Sequence, residues 1–270
     1  MKIFDCFTLY NELDLLEIRL QELYDHVDYF VVVEADHTFT NKPKSFNFLD
    51  HAQRFGAYTD KIRYVKVEDM PLSTNPWDNE HFQRNAIQRG IADAEANDVV
   101  IVTDVDEIPR PAAVDYMRGS DQTLFAMRMP IYNFKFNYMK LNPDLYSVWG
   151  MAARRQAFDD ILPNSLRDMR FGFFDRPYQY QDRGCQVIEH AGWHFTYLGD
   201  NAALRDKAQS FSHQEVNRPE FLDQIDVEAS IQARTSWDRS SADRYDIVDL
   251  DDYFPASIRN QRDRYQGYVL

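Results

Sequence analysis

Short β-branched and aromatic runs alternate with longer stretches of helical period through the first hundred or so residues, the pattern of βαβ units on a mostly parallel sheet. Residues 2–8 predict a buried first strand. Asn11 followed by Asp14 marks a helix start, after which Leu13, Leu16, Leu20, Leu23 and Val27 recur at steps of three and four. Residues 29–34, 62–67 and 99–103 predict three further strands, each running out into polar residues. Between the last two, residues 78–96 predict a helix with Phe82, Ala86, Gly90 and Ala94 on one stripe, small enough in places for close approach to a sheet.

The pattern then changes. Past Pro109 and Pro111 a short helix runs through Met117 and ends near Gly119. Over residues 122–160, Leu124, Phe125, Tyr132, Phe134, Phe136, Tyr138, Tyr146 and Trp149 suggest antiparallel strands. Residues 161–186 are irregular and rich in arginine and aromatics, and helices are expected near 200–211, 218–235 and 256–264. No internal repeat, low-complexity linker or domain boundary interrupts the chain. The expected fold is one α/β domain over residues 1–270, with a mostly parallel sheet flanked by helices, antiparallel additions and C-terminal helices.

Composition narrows the function. The 270 residues are 44% hydrophobic, enough for a sizeable core, and carry a net charge of -14, which disfavours binding along a nucleic-acid backbone but allows a local basic pocket. The longest apolar runs, 29–33 and 99–102, are far shorter than the about twenty residues a membrane span needs. An acid at position 5 and the lack of an apolar stretch before a small-residue cleavage site argue against a signal peptide, so a cytoplasmic location without a membrane anchor is expected. Cys6 and Cys185 are expected to be free thiols.

The most informative segment is Val-Val-Ile-Val-Thr-Asp-Val-Asp-Glu-Ile-Pro, residues 99–109. A buried strand stopping at Asp104 and Asp106 places two carboxylates on one side of an extended chain, at the sheet edge where open α/β sheets bind ligands. Two hard oxygen donors there suit Mg²⁺ or Mn²⁺, which fills its other positions with water and substrate phosphate. The bland alternative is a strand-end charge cluster. A second Asp-x-Asp, Asp249 and Asp251, has no such strand before it and reads as surface charge. Haloacid-dehalogenase-like phosphatases use the first aspartate of such a strand as nucleophile, but their motif lies near the N-terminus and continues to Thr or Val where this chain has Ile108. Nucleotide-sugar glycosyltransferases of the GT-A type carry Asp-x-Asp about a hundred residues in, after a nucleotide-binding half, and the position fits them.

Further segments sharpen that fit. Asp-Cys-Phe-Thr-Leu-Tyr-Asn-Glu-Leu-Asp-Leu-Leu-Glu-Ile-Arg-Leu (5–20), Val-Val-Val-Glu-Ala (31–35), Thr-Phe-Thr-Asn-Lys-Pro-Lys (38–44), Gln-Arg-Asn-Ala-Ile (83–87), Asp-Val-Asp-Glu-Ile-Pro (104–109) and Ala-Gly-Trp-His-Phe (191–195) occur in one order. Together they resemble glycosyltransferase family 17 over about residues 2–215, most densely before 110. The resemblance implies a GT-A fold with a nucleotide-binding half at 1–110 and an acceptor-side half at 111–270. It also implies a UDP-sugar donor, UDP-N-acetylglucosamine in the eukaryotic enzyme, and transfer with inversion. Asp104 and Asp106 match the family's Asp-x-Asp and would bridge Mn²⁺ or Mg²⁺ to the donor diphosphate.

Other matches carry a functional and a plain reading side by side. Glu34 at a strand end could accept from a uracil imide or ribose hydroxyl, or form a salt bridge. Arg84 and Asn85 could meet a donor phosphate or base, while Glu80 one turn earlier offers Arg84 an ordinary ion pair. Glu107 could act in the site or be a buried partner for Arg84. Trp193 offers a platform for the apolar face of an acceptor sugar, and His194 a metal ligand or phosphate donor, against the default of core packing. His213, Lys207 and Ser210 are weaker candidates. The candidate set is thus His194 and Glu107 as catalytic residues, Glu34, Arg84, Asn85, Asp104 and Asp106 at the donor, Trp193 at the acceptor, and Asp104 and Asp106 at the metal.

The general base on the acceptor hydroxyl is open among Asp175, Glu189, Asp200 and Glu215, and the aromatic segment from Tyr132 to Trp149 is expected to shape the acceptor site. The acceptor is left open between a protein glycan, a surface glycan, a lipid-linked sugar and a small glycoside. Position 41 is Asn where family members often carry Gly, which matters only if the turn needs positive φ. Two rival readings stand: a non-catalytic nucleotide- or carbohydrate-binding protein, and a phosphatase using Asp104 covalently.

Overall fold

Four strands carry the sheet expected of the first hundred residues: β1 (Ile3–Thr8), β2 (Tyr29–Ala35), β3 (Ile62–Val67) and β4 (Val99–Asp104) run parallel in the spatial order β4-β1-β2-β3. The computed structural model describes residues 1–141, 147–172, 184–237 and 243–270. Both faces of this sheet are covered, which is why its strands read as continuous apolar runs. Ile3, Phe7, Phe30, Val32, Val99 and Ile101 pack under the Leu13–Leu23 helix, while Phe4, Cys6, Val31, Val33, Val100 and Val102 face Ala86, Ile87 and Leu166 on the other side.

After the short β5 (Glu107–Pro109) and the Pro111–Gly119 helix come β6 (Leu124–Arg128), β7 (Ile131–Asn133), β8 (Tyr138–Lys140) and β9 (Val148–Arg154). β9 pairs antiparallel with both β4 and β6, and β10 (Cys185–Ile188) adds parallel to β6, closing a seven-stranded mixed sheet. A second sheet has the order β12-β8-β7-β11-β5, with β11 at Gly192–Thr196 and β12 at Tyr245–Ile247. The antiparallel additions expected over 122–160 are present, whereas β5, β10, β11 and β12 were not anticipated. Tyr146 lies outside the described residues.

Several expected helices are shorter. The first ends at Leu23, and Val27 is buried in the turn beyond it. The stretch expected as one helix over 78–96 is Pro76–Asn85 followed by Ile87–Gly90. Gly90 is where close approach is required: a Cβ there would lie 2.3 Å from Val31 Cγ1. The 218–235 helix is split into Pro219–Leu222 and Val227–Ala233 because Asp226 caps the second piece, accepting from the Ala229 N–H at 3.0 Å. The Asn201–Ser210 helix stands where expected, capped by Asp200. At the C-terminus, Ala256–Asn260 and Arg262–Tyr265 pack on the first helix, with Arg264 donating to Glu17 and the Ser257 N–H to Glu22. No helix among the described residues is long and apolar enough to cross a membrane.

Candidate active site

The Asp-x-Asp segment is not an extended strand throughout. β4 ends at Asp104, Val105 and Asp106 form a turn, and β5 begins at Glu107, so the two aspartates reach their positions through a turn and not through strand alternation. Up to that turn alternation holds. Thr103 faces the Leu13–Leu23 helix and Asp104 the opposite side.

The turn is braced from below by Arg19, which is fully buried. Its Nε and Nη2 bind the Asp5 carboxylate at 2.7 and 2.5 Å, Nη2 also donates to Thr103 Oγ1 at 2.6 Å, and Nη1 donates to the carbonyls of Asp104 and Glu107 at 2.9 and 3.0 Å. β11 braces it from the side. Register sets His194 opposite Glu107 and Trp193 opposite Ile108, and the Phe195 N–H donates to the Asp106 carbonyl at 2.8 Å. Gly192 permits this contact, since a Cβ there would lie 2.1 Å from the Ile108 carbonyl oxygen.

Each carboxyl in the turn has a different partner set. Asp104 accepts from Arg84 at 2.9 Å and from Arg167 at 3.2 Å. Burial works against its ionisation, but Arg84, Arg167 and Arg170 overcome it and hold the carboxyl well below the usual range. Glu107 is buried, accepts from Arg167 and from the Asp104 N–H, and is pushed up to about 7 by burial despite Arg167, with Asp104 adding to the rise. Asp106 accepts from Lys207 Nζ at 2.8 Å through Oδ2. Its Oδ1 lies 3.9 Å from His194 Nε2, beyond hydrogen-bond range. Burial lowers His194 to about 4, so its ring is neutral at pH 7, and it packs on Trp149 with ring centroids 4.3 Å apart.

These groups open onto a cavity of about 400 Å³ at the carboxyl ends of β1, β2 and β4. One end is lined by Thr8, Leu9, His37, Thr38, Phe39 and Trp77. The centre holds Glu12, Arg84, Asp104, Asp106, Glu107, Trp149, Arg170, His194 and Lys207, and the far end Asn133, Lys140, Thr196 and Tyr245 on the second sheet together with Trp237 and Asp243. Arg84, Asp104, Asp106, Glu107 and His194 are therefore brought together, with Lys207, Ser210 and His213 on the same wall.

Three candidates are placed elsewhere. Glu34 is fully buried and its oxygens accept from Lys44 Nζ at 2.7 Å, the Asn47 N–H at 2.6 Å, the Phe48 N–H at 3.1 Å and Tyr64 Oη at 3.1 Å, so it fixes the 44–48 loop. Asn85 accepts from the Asn164 N–H at 2.9 Å and anchors the Pro163–Asp168 helix. Trp193 lies in the core against Phe195 and Tyr253 instead of facing the cavity. Of the base candidates, Glu189 pairs with Arg128, Glu215 pairs with His213 and Asp200 caps a helix, while Asp175 lies outside the described residues.

Sequence reasoning missed Arg167, Arg170 and Glu12, whereas Trp149, the end of the aromatic segment expected at the site, does line the cavity. Arg167 and Arg170 fall in the stretch marked only as irregular and arginine-rich, and the signal available was that enrichment. Glu12 stands in the Tyr-Asn-Glu of the first matched segment. Its Oε2 accepts from the N–H groups of Tyr10 and Asn11 at 3.2 and 3.1 Å, and no ion pair joins it to a lysine or arginine among the described residues. Burial raises its pKa, Lys207 opposing and Asp106 reinforcing.

Among the described residues no group of three His, Cys, Asp or Glu side chains is arranged to hold a metal ion. Asp106 Oδ1, without a hydrogen bond among the described residues, and the neutral His194 stand 3.9 Å apart on the cavity wall and could offer a cation one oxygen and one nitrogen donor. Asp104 accepts from one arginine on each oxygen and could offer a cation its remaining lone pairs.

The sequence model of glycosyltransferase family 17 matches residues 1–238. The human β-1,4-mannosyl-glycoprotein 4-β-N-acetylglucosaminyltransferase is 28% identical over 218 residues, a match covering 73% of this chain and 40% of that protein. Among solved structures, a mannose-6-phosphate isomerase from Helicobacter pylori aligns at a TM-score of 0.40 with 14% identity, over 71% of this chain and 98% of the other. The galactosyltransferase LgtC, in complex with donor and acceptor sugar analogues, aligns at 0.37 with 13% identity, over 70% and 73%.

Proposed function

Because the chain belongs to glycosyltransferase family 17, we propose that its cavity binds a nucleoside diphosphate sugar, UDP-N-acetylglucosamine in the first instance, and transfers the sugar with inversion to a hydroxyl of a glycan or glycoside. In this reading the parallel strands form the donor half of a GT-A arrangement, and the second sheet contributes the acceptor side. The observation that carries it is the convergence of Asp106, Lys207, Arg170 and His194 on one cavity at the carboxyl edge of the sheet. Such a cluster can hold a diphosphate and offset the charge that develops as it leaves.

The nucleoside fits the end lined by Thr8, His37, Phe39 and Trp77, which leaves the diphosphate beside Lys207 and the Asp106–His194 pair. A Mn²⁺ or Mg²⁺ bound there by Asp106 and His194 would supply Lewis-acid stabilisation of the phosphate oxygens. Arg84 and Arg167 keep Asp104 ionised and fixed, and Arg19 holds the turn that presents Asp106. Among the described residues Glu12 is the cavity carboxylate whose charge is not already paired, and it serves as the base. It takes the proton of the acceptor hydroxyl as that oxygen bonds to the anomeric carbon, and the bond from that carbon to the diphosphate breaks with its electron pair going to the phosphate oxygen.

Thermal unfolding with UDP-, GDP-, CMP- and dTDP-sugars, each with and without Mn²⁺, tests the donor and the cation together. The UDP-sugar is expected to raise the melting temperature in a Mn²⁺-dependent way, and Asp106→Ala to remove most of the rise. No stabilisation by any donor overturns the donor reading, and equal stabilisation of the variant overturns the cation assignment.

A further inference from the structure

Most cations on the cavity wall are spent on carboxylates. Lys44 binds Glu34, Arg84 binds Glu80 and Asp104, Lys140 binds Asp243, and Lys207 binds Asp106. Arg170 differs. Among the described residues its one carboxylate contact is Glu107 Oε1, 3.7 Å away, outside hydrogen-bond range and already taken by Arg167. Its Nε and Nη1 are buried with no hydrogen-bond partner.

Arg84, Arg167 and Arg170 are matched in number by Glu80, Asp104 and Glu107, but Arg84 and Arg167 hold all three carboxyls by hydrogen bonds and leave Arg170 without one among the described residues. Burial and the neighbouring Arg167 lower Arg170 to about 10, which keeps it protonated at pH 7. Its guanidinium lies 5.6 Å from the Trp149 ring centroid and 4.7 Å from that of Phe171, and Trp149 packs in turn on His194. Ring contacts hold the planar fork on the same wall as the Asp106–His194 pair. A buried cation with unused donors is unfavourable alone and favourable with an oxyanion against it.

We propose that Arg170 is a dedicated phosphate ligand that binds the terminal phosphate of the nucleotide and the charge that grows on the departing diphosphate. The assignment rests on the nucleotide-sugar reading above, and it names a residue that neither the Asp-x-Asp pattern nor the helix before it includes.

Calorimetric titration of UDP and of uridine into the wild type and Arg170→Gln, in buffer containing Mn²⁺, tests it. Loss of a charged donor to phosphate is expected to weaken UDP tenfold or more while leaving uridine unchanged. Arg170→Lys, which keeps the charge but not the fork, is expected to lie between. It also serves if the glutamine variant does not fold. UDP binding equal to wild type in a folded variant overturns the assignment, as does an equal loss for uridine and UDP, which would mark a structural role. Absence of UDP binding to the wild type overturns the nucleotide reading, and Arg170 with it.

Discussion

Arg19→Met removes the group that ties the first strand, the first helix and the Asp-x-Asp turn together. Arg19 and Asp5 are both at zero exposure, and five hydrogen bonds at 2.5–3.0 Å run from the guanidinium to Asp5, Thr103, Asp104 and Glu107. Deleting one partner of a buried pair leaves the other charge unsolvated, a loss of about 3–5 kcal/mol. The carbonyls of Asp104 and Glu107 also lose their donor, so a total near 5 kcal/mol is expected, a large share of the about 5–15 kcal/mol that holds a domain folded. Replacing both partners, Asp5→Leu with Arg19→Met, should recover about half of that, because an apolar pair carries no stranded charge. Urea unfolding followed by tryptophan fluorescence reads the difference. At a slope of about 2.5 kcal/mol per molar, the single variant should lose roughly 2 M in midpoint and the double variant about 1 M. A loss under about 1 kcal/mol for the single variant, or a double variant that loses the sum of both singles, would refute the reasoning.

Glu12→Gln should lower kcat about a hundredfold or more with UDP binding unchanged, as expected of a lost base; a raised donor KM with kcat intact would show that Glu12 binds the nucleoside. Asn41 has φ of 64°, so the turn does need the left-handed conformation, and its side chain donates to the Ser73 carbonyl at 2.8 Å and accepts from Asn79 at 2.9 Å. Asn41→Val should cost about 2–3 kcal/mol and Asn41→Gly about 1 kcal/mol or less, measured by urea unfolding; equal losses would count against a backbone cause. Burial of Glu17 favours its neutral form, but hydrogen bonds from Arg264 and Arg54 outweigh that and lower its pKa. A lowered carboxyl stabilises the fold above its unfolded value of about 4.3 and loses that contribution as pH falls through the folded one. Melting temperatures of Glu17→Gln and wild type should therefore differ at pH 7 and converge below about pH 4; a constant gap would contradict this.

The four parallel strands were legible because each is buried on both faces and therefore apolar throughout, a signal that survives in the sequence as an unbroken run. Asp104 and Asp106 were legible for the same reason: acids directly after such a run can only be at its edge. β5 and β11 were not. Each is short, and Trp193 and His194 show their strand only through the partner at Ile108 and Glu107. Glu34 shows the limit in the other direction. An acid at the end of β2 looked available to a ligand, yet four donors from the 44–48 loop and Tyr64 claim it, and those donors are 10 to 30 residues away along the chain.

Hydrophobic periodicity and motif order by themselves determined the α/β class, the strand that ends at Asp104 and the family. Tertiary structure alone decided which charges are paired. Asp5 in the first strand and Arg19 in the first helix are each anomalies in apolar surroundings, and only the packing of that helix on that strand makes them one ion pair. Arg167 and Arg170 read as one arginine-rich stretch. Folding gives Arg167 two carboxylates and leaves Arg170 without a hydrogen-bonded one among the described residues. Burial and hydrogen-bond satisfaction are properties of three-dimensional neighbours, and the spacing of residues along a chain does not encode which of two similar cations has been neutralised.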